Sequence, residues 1–562
     1  MKDTSLKQII CNTYLAVLFI VYPLFQHDHY YNMGENKYYF YLWSTIIFLV
    51  LLVIAILTDE DAYKKSKSKN GKKKNRNTKN TKMKAELTSG KLSFKEKVIK
   101  IKEMFMAWFG PKSIVEKFVW AYLVFAIISF IFGIDKYTGF WGVDGWHMGL
   151  LIQCLMIACF FAFAKVWKPN MLPVWFAMIG SSVVMILGIV MRFGIDPLGN
   201  YEGLEQRYIN TFISTIGQTS WYSAYICTVI PAGIALFYVA ENKKTRIVYG
   251  VYTTLAFLAM AIADSDSIFL GIAGMLMVLF WVAFTDEKYM VRFWEITTML
   301  AGAYWFMSKV KVSFSTQYNK ETDWTSAVLK IEKQFFIVFI ISFVFGTLLL
   351  LLQKRGDLRS VYSYKNRISV IRNTIYILVL MVIVSIVGYI FLNTKGVFGV
   401  TEDMIPWSGN IWYFNGAWGN ARGVSWKTCW QIFSDYDIAR KFIGIGPDSL
   451  AVVTQMVDQY KNMIEGAFGD DQVLTCAHNE FYNHVVVYGL LGGGTYLGIY
   501  VSSIIRYLKM FTSKKIVLFG AVCVASYMGH NFFCYQTVIC TPFIFVIMGL
   551  CESFLKNVNE TD

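Results

Sequence analysis

Long apolar runs, each about 20 residues, alternate with short polar stretches along almost the whole chain. A run of that length is what a helix needs to cross a bilayer. The pattern predicts fourteen membrane helices, near 8–25, 38–57, 114–134, 149–166, 172–193, 221–240, 246–263, 267–284, 292–309, 333–352, 373–392, 484–504, 514–530 and 535–554. The run at 292–309 carries Glu295, and the last pair is short, so twelve or thirteen spans fit as well. The predicted fold class is an all-α integral membrane protein, a polytopic bundle of about 12–14 transmembrane helices, with a long extracytoplasmic loop before the last three.

The polar stretches divide the chain into N-terminal helices (1–57), a basic loop (58–113), a helix bundle (114–392), a long loop (393–483) and C-terminal helices (484–562). The 562 residues are 56% hydrophobic and only 16% charged, where a soluble domain carries about 25%. No small-residue cleavage site follows the first apolar run, so no cleaved signal peptide is expected. The net charge of +15 is concentrated between Thr58 and Lys102, which hold 16 Lys/Arg against 5 Asp/Glu. A nucleic-acid-binding tail is one reading of that run. A cytoplasmic loop facing anionic lipid suits a membrane protein better, and no nucleic-acid partner is expected. Placing this loop inside puts the basic segments at Lys165/Lys168, Lys243–Arg246, Lys354–Arg372 and Arg506–Lys515 inside as well. Both termini are then cytoplasmic, and loops 26–37, 135–148, 194–220, 310–332 and 393–483 are extracytoplasmic.

The loop 393–483 is too long and too aromatic for a simple connection. It holds five of the seventeen tryptophans, Trp407, Trp412, Trp418, Trp426 and Trp430. Such rings either stack on sugars or anchor helices at the headgroup level. The ten cysteines show neither metal spacing nor a disulfide framework, although Cys429 and Cys476 share this loop.

At the end of the loop, LTCAHNEFYNHVVVYGLLGGG runs from a polar segment into an apolar helix. Gly489 follows His478 by eleven residues, three turns plus about 20° of helix. If the helix reaches back that far, His478, Tyr482, Val485, Gly489 and Gly492 form one stripe. Its small residues turn it toward a neighbouring helix and hold His478 at the mouth of the bundle. Read alone, the same stretch also fits a solvated histidine above an ordinary packing face.

His478-Asn479, nine residues, Gly489, two residues, Gly492 resembles the signature of the O-antigen ligase and O-antigen polymerase superfamily. Two further features follow that superfamily's order. Arg207 precedes a span, with Gly217-Gln218-Thr219 standing where a Gly-Asn-Pro-like turn is usual. Arg422 and Trp426 precede the turn Gly444-Ile445-Gly446-Pro447. The resemblance runs from about Arg207 to the C-terminus. It implies a membrane glycosyltransferase whose donor is a polyprenyl-pyrophosphate-linked glycan. His478 would be the base, and Arg207 and Arg422 would hold the pyrophosphate, with Asn479, Glu480 and Trp426 orienting base or sugar. Gly444, Gly446, Gly489 and Gly492 would be structural, and His484 is the alternative base. The chemistry suits the residue types. Imidazole titrates near neutrality, and guanidinium stays charged and binds phosphate oxygens in pairs.

The resemblance implies no cofactor and no metal. Asp264-Ser265-Asp266 looks like the Asp-x-Asp element of nucleotide-sugar transferases, but a short turn with Asp and Ser is more readily read as helix capping. Asp470-Asp471 is weaker still. The expected partners are the lipid-linked glycan and membrane lipid, with a flippase and a chain-length regulator as companions in such systems. A polymerase at the outer leaflet of the plasma membrane is the first reading and a ligase the second. A lipid-linked glycan flippase is the third, disfavoured because the predicted helix centres are nearly free of charge.

Overall fold

A computed structural model describes residues 5–58, 110–318, 322–405 and 410–556, with only the backbone for 57 and 322–331. Most of the basic loop and Trp407 therefore lie outside the described residues. Within them the chain is helical almost throughout. Strand pairing is confined to Phe212–Ile213 against Gly217–Gln218, antiparallel.

Every predicted span coincides with a helical segment. Among the described residues, eight are long and apolar enough to cross a membrane: Leu6–Leu24, Met33–Ile56, Ile114–Ile131, Leu172–Arg192, Thr219–Val239, Glu332–Arg355, Lys365–Thr394 and Glu480–Lys509. Leu150–Lys165, Ser267–Ala283 and Thr541–Leu555 are apolar but shorter. Lys243–Ala261, Glu287–Ser313 and Leu518–Asn531 account for the remaining three. The protein is all-α with the build of a membrane protein.

Glycine sets how the helices approach one another. A Cβ on Gly549 would overlap the backbone at Phe160, one on Gly274 the carbonyl of Ala525, and one on Gly529 that of Leu270. Small residues at these crossings let backbones touch, the main source of packing energy where lipid is as apolar as the side chains. The short helices Leu150–Lys165 and Thr541–Leu555 are buried over nearly their whole surface. Lys365–Thr394 is the opposite, with none of its apolar window buried. A helix enclosed by protein need not match the bilayer thickness, whereas one that faces lipid must.

Charged groups from loops assigned to one side meet each other. Lys165 pairs with Glu116 (2.5 Å), Arg506 with Glu552 (3.1 Å), and Arg246 with Glu295. Lys288 and Lys515 share Glu241, at 2.9 and 3.1 Å. The Arg246 pair gives Glu295 a partner within the helix that looked weakest as a span.

The long segment is folded, as its aromatic content predicts. It forms helices Trp418–Asp435, Ile438–Ile443, Leu450–Met456 and Asp458–Phe468. Cys429, Ile432, Leu450, Ile464 and Leu474 build a core of their own, which joins Val486, Val487 and Tyr488 at the head of the next helix.

Candidate functional site

The helix that follows His478 begins at Glu480. Asn479 is its N-cap, with its side-chain oxygen accepting the Tyr482 amide at 2.9 Å. The Asn483 side chain accepts the Ala477 amide at 3.1 Å. His478 stands outside the helix with a left-handed backbone (φ 49°). The expected stripe from His478 to Gly492 therefore does not form. It fails at a second point too, because Gly489 breaks the helix with φ 72° and ψ −179°.

That break explains the glycine spacing. It frees the Val487 carbonyl, which accepts the amides of Ile445 (2.9 Å) and Gly446 (3.2 Å) and the Ser129 hydroxyl (3.2 Å). A Cβ on Gly489 would overlap the backbone of Phe442 and Ile443, and one on Gly444 the backbone of Val487. The Gly-x-Gly-Pro turn and the His-Asn helix, far apart in sequence, are one interlocked unit. Gly446 packs on Gly133, and Gly492 against Tyr488 of the preceding turn.

Three aromatic groups hold the His478 loop. The Trp426 indole N–H donates to the Ala477 carbonyl at 3.0 Å, and the Tyr482 hydroxyl donates to the Trp426 carbonyl at 3.3 Å. The Tyr535 ring meets the His478 ring edge-on at 5.3 Å. Tyr535 in turn donates its hydroxyl proton to Gln218 (3.3 Å), the central residue of the predicted Gly217-Gln218-Thr219 turn.

Arg422 joins this group. Gly419, Asn420 and Ala421 are all left-handed (φ 60°, 59° and 62°), so the regular helix starts at Arg422. Its Nε donates to the Phe533 carbonyl (3.2 Å) and its Nη1 to the Gly419 carbonyl (2.7 Å). Among the described residues Nη2 has no acceptor, and the side chain is half-buried. Burial first, and the Arg422 charge second, lower the His478 pKa to about 4. His478 is therefore neutral at pH 7, and among the described residues neither ring nitrogen is hydrogen-bonded. The unprotonated ring nitrogen of this neutral imidazole is open to accept a proton, and the guanidinium that weakens it as a base is placed to hold an anion whose charge would restore that strength. Left-handed non-glycine residues gather here (Asn420, Ala421, Asp448, His478). Such backbone persists only where its surroundings over-determine it.

Glu480 turns away from the loop. Its carboxylate is buried and accepts from Tyr496, from Tyr527 (2.8 Å) and from Asn531. Asn479 and Glu480, expected to orient base or sugar, are thus engaged within the protein as a cap and a buried anchor. His484 is deeper in the bundle, its ring stacked on Tyr496 at 3.6 Å and bonded to the Glu480 carbonyl (2.7 Å) and Tyr122 (3.3 Å). Sequence reading missed His530-Asn531 and Tyr535, and met Gln218 only as part of the Gly217-Gln218-Thr219 segment. The stretch HNFFCYQT repeats the His-Asn pair between the last two spans, and that polarity was the available signal. His530 bonds Ser223 (2.8 Å) and Asn531 (2.6 Å).

Arg207 is not brought to this cluster. It lies on the short helix Gln206–Thr211, pairs with Glu205 at 2.8 Å, and is about two-thirds exposed. Its guanidinium stacks over Tyr208 (4.6 Å). Among the described residues it touches neither His478 nor Arg422.

Asp264 corrects the capping reading. It pairs with Lys311 (2.9 Å) and Arg192 (3.6 Å) and accepts the Tyr318 hydroxyl, all buried. Asp266 holds the N-cap position of Ser267–Ala283, without a side-chain bond to the helix amides. A carboxylate between two cations is a structural ion network rather than half of a metal pair. Cys429 and Cys476 are both buried free thiols.

No protein-family model matches this chain, and no curated protein matches it.

Proposed function

We propose that the protein is a membrane glycosyltransferase that joins polyprenyl-pyrophosphate-linked repeat units at the outer leaflet, as a capsule, exopolysaccharide or O-antigen polymerase. The observation that carries this reading is the pairing of a neutral, unengaged His478 with the half-buried Arg422 at the head of a membrane helix. In this scheme Nη2 of Arg422 donates to a pyrophosphate oxygen and stabilises charge as the polyprenyl pyrophosphate leaves the anomeric carbon. His478 takes the proton of the acceptor hydroxyl as that oxygen attacks the anomeric carbon. The donor's negative charge offsets that of Arg422 and raises the His478 pKa, so the base strengthens once donor is bound. No metal is needed.

Two features support the lipid-linked donor. The site caps helices with membrane-spanning length. An apolar groove of about 380 Å³ is lined by Leu378, Met381, Val382, Ile386, Tyr389 and Trp412. Trp412 is bonded through its carbonyl to Asn393 (2.9 Å), next to the aromatic run Phe414, Trp418 and Trp426. Arg207, outside the cluster, would meet only a distal part of the donor. A ligase, transferring to a lipid or protein acceptor, would use the same groups.

The test is polymer length on a gel, with donor affinity measured beside it. His478→Ala lowers turnover by about 10²–10⁴ with donor affinity kept. Arg422→Gln weakens donor binding as well. Long polymer made by His478→Ala at near-normal rate overturns the reading. Donor translocation without any glycosyl transfer would support a flippase instead.

A further inference from the structure

The helical turns from Glu480 to Tyr488 double back along the rest of their own helix, with the reversal at Gly489. A Cβ on Gly493 would meet the Val485 backbone, the His484 ring stacks on Tyr496, and the Phe481 ring reaches Tyr500 at 6.0 Å. A straight helix would hold each of these pairs several turns apart. The reversal carries His478 in to Tyr535, where the ends of other helices gather. Tyr535 lies between Leu518–Asn531 and Thr541–Leu555, Gln218 precedes Thr219–Val239, and Trp146 precedes Leu150–Lys165.

Rings from these ends make a corner beside His478. Tyr535 meets His478 at 5.3 Å and Trp146 at 4.6 Å, the planes of the second pair 79° apart. Trp146 meets Trp221 at 6.2 Å and 87°. Tyr535 is buried, whereas Trp146, Trp221 and Gln218 are half-buried and so reach solvent. Gln218 accepts the Tyr535 hydroxyl proton through Oε1 (3.3 Å), and among the described residues its Nε2 donates to nothing. The loop that carries Trp146 is pinned. Oδ2 of Asp448 accepts the Val143 (2.8 Å) and Met148 (3.1 Å) amides, and Oε1 of Glu35 accepts the Gly145 amide (2.7 Å) and bonds Nε2 of His147 (2.6 Å). A wall fixed beforehand lowers the ordering cost of binding.

We propose that Trp146, Trp221, Tyr535 and Gln218 form the subsite for the terminal sugar of the acceptor, the ring whose hydroxyl His478 deprotonates. The proposal rests on the glycosyl-transfer reading and names where its second substrate sits. A base takes a proton only from a hydroxyl within about 2.6–3.2 Å, so the acceptor ring must lie against a neighbour of His478. Arg422 is the group for the pyrophosphate, and Trp426 and Tyr482 are engaged in holding the loop. The Tyr535 corner is the remaining wall. Binding sites pair aromatic surface with a few placed polar groups. A pyranose matches both, with its C–H face on the indoles and a hydroxyl on the Gln218 amide. In the step itself the acceptor oxygen bonds to the anomeric carbon. The bond from that carbon to the pyrophosphate oxygen breaks, its electrons stay on the pyrophosphate, and the proton passes to His478.

The experiment uses the full-length protein in detergent. The donor is the host's lipid-linked repeat unit, and the acceptor is the oligosaccharide that mild acid releases from that same lipid pool. Initial rates against acceptor concentration give the acceptor KM, with donor affinity and melting temperature measured beside it. Trp146→Ala should raise the acceptor KM roughly tenfold, the size of one aromatic contact, with donor affinity and kcat near wild type. Trp146→Phe should recover most of that loss. Gln218→Ala should raise the acceptor KM about threefold, the weight of one hydrogen bond. Gln218 is half-buried and its side chain makes one hydrogen bond, so this variant keeps the fold even if Trp146→Ala does not. An unchanged acceptor KM in the alanine variants overturns the subsite and leaves the transfer reading standing. Equal losses of donor and acceptor affinity also overturn it, and make the rings a structural wall. Wild type that transfers nothing to any acceptor defeats the glycosyl-transfer reading, and the subsite with it.

Discussion

At the scale of single residues, the state of His478 follows from its surroundings rather than its type. Burial and Arg422 both disfavour the imidazolium, so the folded pKa near 4 lies below the free value of about 6.5. The sign follows directly. Between those values the unfolded chain binds more protons, so this group's contribution to stability is complete above about pH 6.5 and is lost as pH falls toward 4. If His478 is the base, kcat/KM for transfer should stay level from pH 7 to about 5 and fall with an apparent pKa near 4. In kcat the same limb should move to higher pH, because bound pyrophosphate offsets Arg422. Arg422→Gln should shift the kcat/KM limb upward. A pH–rate series on wild type and variant checks all three. Gly489 gives a second residue-scale prediction. Its φ/ψ belongs to a region open essentially to glycine alone, at a cost of about 1–3 kcal/mol for other residues. A Cβ there also meets the Phe442 backbone. Gly489→Ala should therefore lower the melting temperature in detergent, with a larger loss than Gly494→Ala, where a Cβ meets nothing.

Between helices, the most exacting contact is the buried ion network of Asp264 with Arg192 and Lys311. Removing the anion leaves two cations enclosed, and breaking such a buried pair costs about 3–5 kcal/mol. Asp264→Asn should sharply reduce the yield of folded protein, and pairing it with Lys311→Met should recover part of the loss. Melting curves of the single and double variants measure both effects. A metal role for Asp264 would predict instead that the single variant folds normally and loses only ion binding. The reach of sequence reading is plain at this scale. Apolar run length placed a helix over 484–504, and the motif spacing singled out Gly444, Gly446, Gly489 and Gly492 as structural. It could not show why. The sequence predicts Gly489 and Gly492 as a face for a neighbouring helix along a continuous stripe, whereas Gly489 serves a helix break into which the turn at Gly444 is inserted.

For the whole molecule, the grouping of loops by side is a prediction of the basic segments, and labelling tests it. The ten native cysteines are buried or half-buried, so background reaction should be low. A membrane-impermeant maleimide applied from outside should modify Asp470→Cys and spare Lys72→Cys; the reverse would invert every role assigned to the outer loops. The sequence by itself determined that the protein is a helical membrane protein, where its helices run, and that the segment 393–483 is folded. Apolar run length, aromatic content and charge are local quantities, and membrane burial reads them locally. It also singled out His478, a polar group at the head of an apolar helix, while Arg422 and Trp426 stood out only through the motif order that the chain resembles. Only the tertiary structure decided which of those groups meet. It brought Arg422 and Tyr535 to His478 and Gln218 to Tyr535, left Arg207 in its own loop, and turned Glu480 into the bundle toward Tyr496, Tyr527 and Asn531. The physical reason is that these contacts join segments separated by tens to hundreds of residues. Their geometry is set by helix crossings and a broken helix, and no periodicity along the chain records either.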